Sequence, residues 1–353
     1  MVLALRSISK RFGAKQAIDD VSLQLESNEY VSLLGPSGSG KTVLLRLIAG
    51  FERPDAGEVW LGGELVSGLP AHRRGIGFVF QNFALFPNYT VFDNIAFGLK
   101  HGGGRDNPAT RRDRVKAMIA LVGLEGLEGR AVHQISGGQR QRVALARTLV
   151  TAPRLVLLDE PLGALDANLR ARMRGELRHI REQLGTTFLH VTGSESEALS
   201  MGDRVIMLDA GRIAQIDQPQ TVYHHPAGPN VARFLNCYNM FEGVIDGGAF
   251  RANAASFPIA GPVVPAPAPH YAIRHDLVQV RPVAAPSLCG EATVEATFLA
   301  SEYAGAVVIN LFALPGGRVV EVESHLSHRR PEPLDVGRGY ILAWRAADAI
   351  VFG

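Results

Sequence analysis

At 353 residues and 46% hydrophobic content, the chain is long enough for one large and one smaller domain, each with a sizeable core. A net charge of +2 gives no basic field that would argue for nucleic acid, and no run approaches the ~18 consecutive apolar residues of a membrane span. Cys237 and Cys289 lie far apart with no CxxC and no His cluster, and they read as buried apolar residues in a reducing compartment. The opening MVLALRSISKRF lacks the basic region and cleavage site of a signal peptide, so a soluble cytoplasmic product is expected.

Residues 1–34 alternate and end in Tyr30–Leu34, a buried strand bounded by glycine. Gly35, Pro36, Ser37, Gly38, Ser39, Gly40, Lys41 and Thr42 then fit the pattern GxxxxGK[ST] between a strand and a helix. Such a loop turns its N–H groups onto a β-phosphate. Lys41 reaches the β- and γ-phosphates, and the Thr42 hydroxyl is placed on Mg²⁺. Lys41 to Ala49 is apolar-periodic and stops at Gly50, as a helix with a glycine just past its end does.

Residues 101–110, HGGGRDNPAT, read as a turn-rich loop before a helix near Arg111–Val122. Ser136, Gly137, Gly138 and Gln139 open the next helical pattern, QRQRVALARTLV. Two adjacent glycines leave the N–H groups of Ser136, Gly137 and Gly138 bare at a helix start, where an anion is favoured. A plain Ser cap before a flexible glycine pair is the equal alternative on these residues alone. Arg154–Asp159 is a continuous apolar run ending in an acid, as in a central parallel strand. Asp159 is placed to hold Mg²⁺ through water, and Glu160 to polarise an attacking water as general base. Residues 167–184 suggest a polar-faced helix, Thr186–Thr192 a strand, and residues 205–214 a hairpin. Strands alternating with helices imply a parallel α/β core. After about residue 236 the helical patterns vanish. Pro and Ala cluster at 257–269, and short alternating runs such as 307–311 and 318–323 suggest a small β-barrel.

Together these pieces resemble the ATP-binding subunit of an ABC transporter, over about residues 1–236. GPSGSGKT is similar to the Walker A loop, ISGGQ to the family signature, and LVLLDEP to the Walker B strand with its glutamate. The resemblance implies a P-loop NTPase domain of α/β class over 1–236, with a helical subdomain at about 84–150. It implies an accessory all-β, OB-like barrel of TOBE type over 237–353. It places Gln81 as a glutamine that senses Mg²⁺ and the membrane partner, and Asp166 in the D-loop Gly163-Ala-Leu-Asp166. It also sets Phe12 against adenine, with a core Phe as the alternative. The implied partners are a second ATP-binding subunit packed head to tail, transmembrane permease subunits, and indirectly a solute-binding protein. The implied cofactors are ATP and Mg²⁺, and the implied location is the cytoplasmic face of a bacterial inner membrane. In that family the aromatic segment Phe83–Val91 docks a helix of the membrane subunit; core packing is the alternative.

One position breaks the pattern. The family carries a histidine four residues ahead of a Glu-Ala pair, and here Gly193 stands four residues before Glu197-Ala198. His190 lies three residues upstream, ~10 Å along an extended strand, and reads as a strand residue. A chain lacking that imidazole is expected to bind ATP and dimerise but to hydrolyse slowly. The join at Ala232–Asn236 and Asn239–Gly243 resembles the polyamine group, which ranks polyamine cargo first, ferric iron next and 2-aminoethylphosphonate third. Two other classes compete: a regulatory nucleotide-binding subunit, and a non-transport ABC ATPase. Against the latter, the stretch from Lys41 to Ser136 shows no sustained heptads, where a coiled coil needs ~3–4.

Overall fold

The computed structural model describes residues 1–101, 107–163, 165–252, 255–284, 288–327 and 333–353. They divide into two compact units, Met1–Val222 and Tyr223–Gly353. The glycine-rich part of the loop expected at 101–110, and Ala164 of the expected D-loop, lie outside the described residues.

The first unit opens with β1 (Leu3–Phe12) and β2 (Lys15–Leu25), then passes through β3 (Tyr30–Leu34) into α1 (Lys41–Ala49). It returns in β4 (Ala56–Leu61), β5 (Glu64–Leu65) and β6 (Gly77–Val79). Three helices follow, α2 (Val91–His101), α3 (Pro108–Leu121) and α4 (Gly137–Leu149). Then come β7 (Leu155–Asp159), α5 (Ala167–Leu184), β8 (Thr187–Val191), α6 (Glu195–Met201), β9 (Arg204–Asp209) and β10 (Arg212–Asp217).

Two sheets result. β2-β1-β4-β5 is antiparallel, and β10-β9-β3-β8-β7-β6 is parallel apart from its edge strand β10. β3 and β8 are buried at every residue, which suits central parallel strands covered on both faces. One core cluster joins α1 to both sheets, and a second gathers α2, α3, α4 and α5. α3 starts ahead of Arg111. The Asn107 side chain accepts from the Thr110 N–H and Pro108 sits at the first helical position, a start signal the apolar spacing did not carry.

The second unit is mainly β, with the short helix Pro229–Phe234 ahead of its strands. A five-stranded antiparallel sheet runs in the order Gln279–Pro282, Gly339–Arg345, Glu291–Tyr303, Val307–Ala313, Val319–His325. Two smaller sheets share its core, where Phe241, Phe257, Tyr271 and Trp344 pack ring on ring. Trp344 Nε1 donates to Tyr271 Oη at 2.9 Å, which satisfies a buried donor without water. Cys237 is half-buried and Cys289 exposed, so the expectation of two buried cysteines fails for Cys289. The turn before the Glu291 strand leaves it outside the core.

Candidate functional site

The loop from Gly35 to Gly40 leaves the C-terminal end of β3 and delivers Lys41 and Thr42 to the first turn of α1. Gly35 has φ 157°, and a Cβ there would lie 2.1 Å from the Leu208 carbonyl oxygen of β9. Only glycine lets the loop pass this close to the neighbouring strand. Lys41 Nζ curls back to donate to the Gly35 and Pro36 carbonyls at 2.7 and 2.9 Å. Ser37, Gly38 and Thr42 are exposed. Ser39 is buried, and its hydroxyl has no partner among the described residues.

β7 ends beside this loop and carries Asp159 at its tip. Burial raises the Asp159 carboxyl above its ordinary value; Glu160 adds to the rise, while Arg46 and Lys41 oppose it. Burial likewise lowers the Lys41 ammonium, against Glu160 and Asp159. These mutual effects place the lysine and both acids in one electrostatic cluster. Glu160 has φ 45°, a left-handed conformation uncommon outside glycine. Its N–H donates to the Val191 carbonyl of β8 at 3.0 Å, which holds the strained residue in place. Gln81 Nε2 donates to Glu160 Oε2 at 3.0 Å. Residues distant in sequence thus meet at one end of the parallel sheet, as ligand sites of open α/β sheets do.

The glycine pair lies at a different helix start. The Ser136 hydroxyl accepts from the Gln139 N–H, and Gln139 Oε1 accepts from the Ser136 N–H at 2.8 Å. This reciprocal capping box corrects the expectation that the Ser136 N–H is bare. The alternative of a Ser cap is therefore realised. At Gly138 a Cβ would come within 2.9 Å of the Leu169 side chain. Asp166 caps α5 by accepting from the Leu169 N–H at 2.9 Å. Among the described residues, no hydrogen bond or ion pair joins the Ser136–Gln139 or Asp166 side chains to the P-loop. Phe12 sits at the end of β1, 47% exposed, with Lys10 Nζ 5.4 Å from its ring centre.

The model of the ABC transporter family matches residues 18–163, and that of the TOBE domain matches 271–352. The chain is 42% identical over 340 residues to the sulfate/thiosulfate import ATP-binding protein CysA of Burkholderia mallei, covering 96% of this chain and 95% of that one. This chain belongs to the ATP-binding subunits of ABC transporters. It is 38% identical over 369 aligned positions to the spermidine/putrescine import ATP-binding protein PotA of Rubrobacter xylanophilus, covering 100% of this chain and 94% of that protein. The dimeric structure of the ATP-binding cassette MJ0796 with ADP and Pi is similar at a TM-score of 0.55 and 32% identity. It spans 62% of this chain and 98% of that one. The ABC ATPase fold, the OB-like all-β tail and ATP hydrolysis follow for this chain.

Gly193, where the spacing ahead of Glu197-Ala198 leads one to expect the family's histidine, lies just beyond β8. Added Cβ atoms there meet nothing within 4 Å, so the space for a side chain is open. His190 is fully buried. Its Nδ1 lies 3.3 Å from the Tyr30 hydroxyl, and burial pushes the ring down to about 3. It is a core residue of β8, as its strand position implies.

Sequence reasoning missed the groups that support the site. Arg147 of α4 donates to the Phe83 and Ala84 carbonyls at 2.8 and 2.7 Å. Glu197 of α6 accepts from the Thr192 hydroxyl at 2.8 Å and lies 3.5 Å from Arg170. The Arg147 and Arg170 contacts span long sequence separations, and no local pattern marks them. Phe83 is buried in the helical core, as the packing alternative implies for it, whereas Tyr89 is 39% exposed.

Proposed function

We propose that the chain drives a membrane importer of a sulfate-type oxyanion, binding Mg²⁺–ATP between two copies and hydrolysing it slowly. The cluster of Lys41, Asp159, Glu160 and Gln81 at the P-loop carries this reading. Lys41 would exchange its two carbonyls for β- and γ-phosphate oxygens. Glu160 would accept a proton from the attacking water, and Gln81 orients its carboxylate. Phe12 offers an exposed ring for adenine.

The residues also suit a divalent cation. The Thr42 hydroxyl, the Asp159 carboxylate and the Gln81 amide oxygen form a hard-oxygen set of the kind Mg²⁺ takes. The unpartnered Ser39 hydroxyl points to a polar occupant of the loop. When bound, the ion would neutralise charge on the transferring phosphoryl group.

In the head-to-tail arrangement Ser136–Gln139 of one copy closes on the nucleotide held by the other, and Asp166 lies alongside. The chain works with permease subunits at the cytoplasmic face of the membrane, with a solute-binding protein upstream of them. Among the described residues no helix is long and apolar enough to cross a membrane. Relatives at 42–48% identity bear sulfate/thiosulfate import names, which moves that cargo ahead of polyamine. Polyamine stays as the second reading, on the 38% match over the whole chain. Growth tests decide. Restored growth on sulfate in a strain lacking its own sulfate-import ATPase, with its permease intact, supports the first reading. Restoration of spermidine uptake alone moves the assignment to the second, and restoration of neither removes both.

A further inference from the structure

Phe83 and Ala84 are consecutive and both left-handed, at φ 63° and 46°. Two non-glycine residues in succession seldom adopt this conformation without help from their surroundings. Here the help comes from Arg147. Its guanidinium fork spans both carbonyls, and its carbon centre lies 5.4 Å from the Phe86 ring. Among the described residues no carboxylate forms an ion pair with this guanidinium. It is satisfied by the bend itself, with an aromatic face beside it. The Phe83 ring, anchored in the core shared with α4, holds the bend from the other side.

Both ends of this contact lead to nucleotide chemistry. Arg147 stands on one unbroken helix whose first residues are Gly137, Gly138 and Gln139. Arg147 lies eight positions after Gln139, ~12 Å of helix that moves as a rod. At the other end, Gln81 is two residues ahead of Phe83 and donates to Glu160.

We propose that Arg147 is a positioning residue that ties the signature helix to the Gln81–Glu160 pair, so that a signature closing on the partner's nucleotide sets the geometry of its own copy's water-activating group. The proposal rests on the head-to-tail reading. Displacement of α4 on closure would be transmitted by the arginine fork to the 83–84 bend and on to Gln81. The two nucleotide sites of a dimer would then be coupled through each copy's Arg147.

The test is ATP hydrolysis by the full chain, followed as single turnover and as a function of ATP. Arg147→Lys keeps the charge and removes the fork. The expected result is a kcat lower by about tenfold, KM for ATP within about twofold, and a Hill coefficient falling towards 1. Ala84→Gly leaves Arg147 in place but relaxes the bend, since glycine adopts positive φ freely. It is expected to leave Tm unchanged or raised while kcat falls, a divergence that a purely structural role does not produce. Unchanged kcat and Hill coefficient in both variants overturn the proposal. So does restoration of kcat when Ala84→Gly is added to Arg147→Lys, because the arginine would then only relieve strain. If Arg147→Lys does not fold, Ala84→Gly alone decides by the same criterion. ATP-dependent dimer formation by Glu160→Gln, read by light scattering, tests the head-to-tail reading separately. Its absence defeats that reading and this proposal together, whereas its presence with unaltered kinetics in the variants defeats the proposal alone.

Discussion

At residue scale, Gly193 and His190 divide what looks like one histidine question. Nothing obstructs a side chain at Gly193, and its φ is not left-handed, so histidine would enter without strain. A lost polar contact to a transition state costs ~10²–10³ in rate. Gly193→His is therefore expected to raise steady-state kcat by ~10²-fold with little change in ATP affinity. Wild-type turnover equal to that of histidine-bearing relatives, or no gain in the variant, refutes the reading of slow hydrolysis. His190 does different work. Its folded value near 3 lies below the ordinary 6.5, so the unfolded chain binds more protons between those limits. This contribution is fully favourable above pH 6.5 and is lost as pH falls towards 3. At about 1.4 kcal/mol per pH unit, it removes ~2 kcal/mol by pH 5. His190→Phe should flatten the fall of Tm between pH 7 and 5. An unaltered slope would locate the acid sensitivity elsewhere.

At element scale, α1 shows how a site helix is held from behind. Arg74 donates to the Leu47 and Ile48 carbonyls near the C-terminus of α1, each at 2.8 Å, and to those of Leu69 and Ser67 at 2.9 and 3.1 Å. Buried at 4% exposure, it acts as a cap on the helix that carries Lys41 at its other end. Burial lowers the guanidinium from its ordinary value but leaves it charged. Arg74→Ala leaves several carbonyls without their donor and is expected to cost about 3 kcal/mol in urea unfolding. Arg74→Lys supplies a point donor in place of a fork and should recover only part of this. A loss under about 0.5 kcal/mol for Arg74→Ala would mean that water replaces the cap.

At the scale of the whole molecule, each compact unit has its own core and one of the two tryptophans. Trp60 in β4 is half-buried under the Arg6 guanidinium, and Trp344 is buried and hydrogen-bonded in the tail. Single-tryptophan variants, Trp60→Phe and Trp344→Phe, therefore report the two units separately. Their fluorescence transitions in urea should have different midpoints, since units with separate cores need not unfold in one step. Coincident midpoints in both variants would show a single cooperative unit. Saturating Mg²⁺–ATP should raise only the transition reported by Trp60.

Much of the first unit was legible because its signals are local. α1 runs over Lys41–Ala49, where its periodicity and Gly50 place it, and α5 covers 167–184. β7 reads as an apolar run because both faces of a central parallel strand are covered. The start of α3 was missed because its Asn-Pro cap lies outside the apolar repeat. The P-loop, Asp159 and Glu160 carry their chemistry in residue type and spacing, and these are properties of the chain alone. The sequence by itself thus determined the family, the nucleotide and the anomaly at Gly193. Only the tertiary structure decided what surrounds them: that Gln81 meets Glu160, that space at Gly193 is open, and that Arg147 grips the 83–84 bend. Those contacts join residues tens of positions apart, and their geometry comes from strand order and helix packing, which no local pattern encodes.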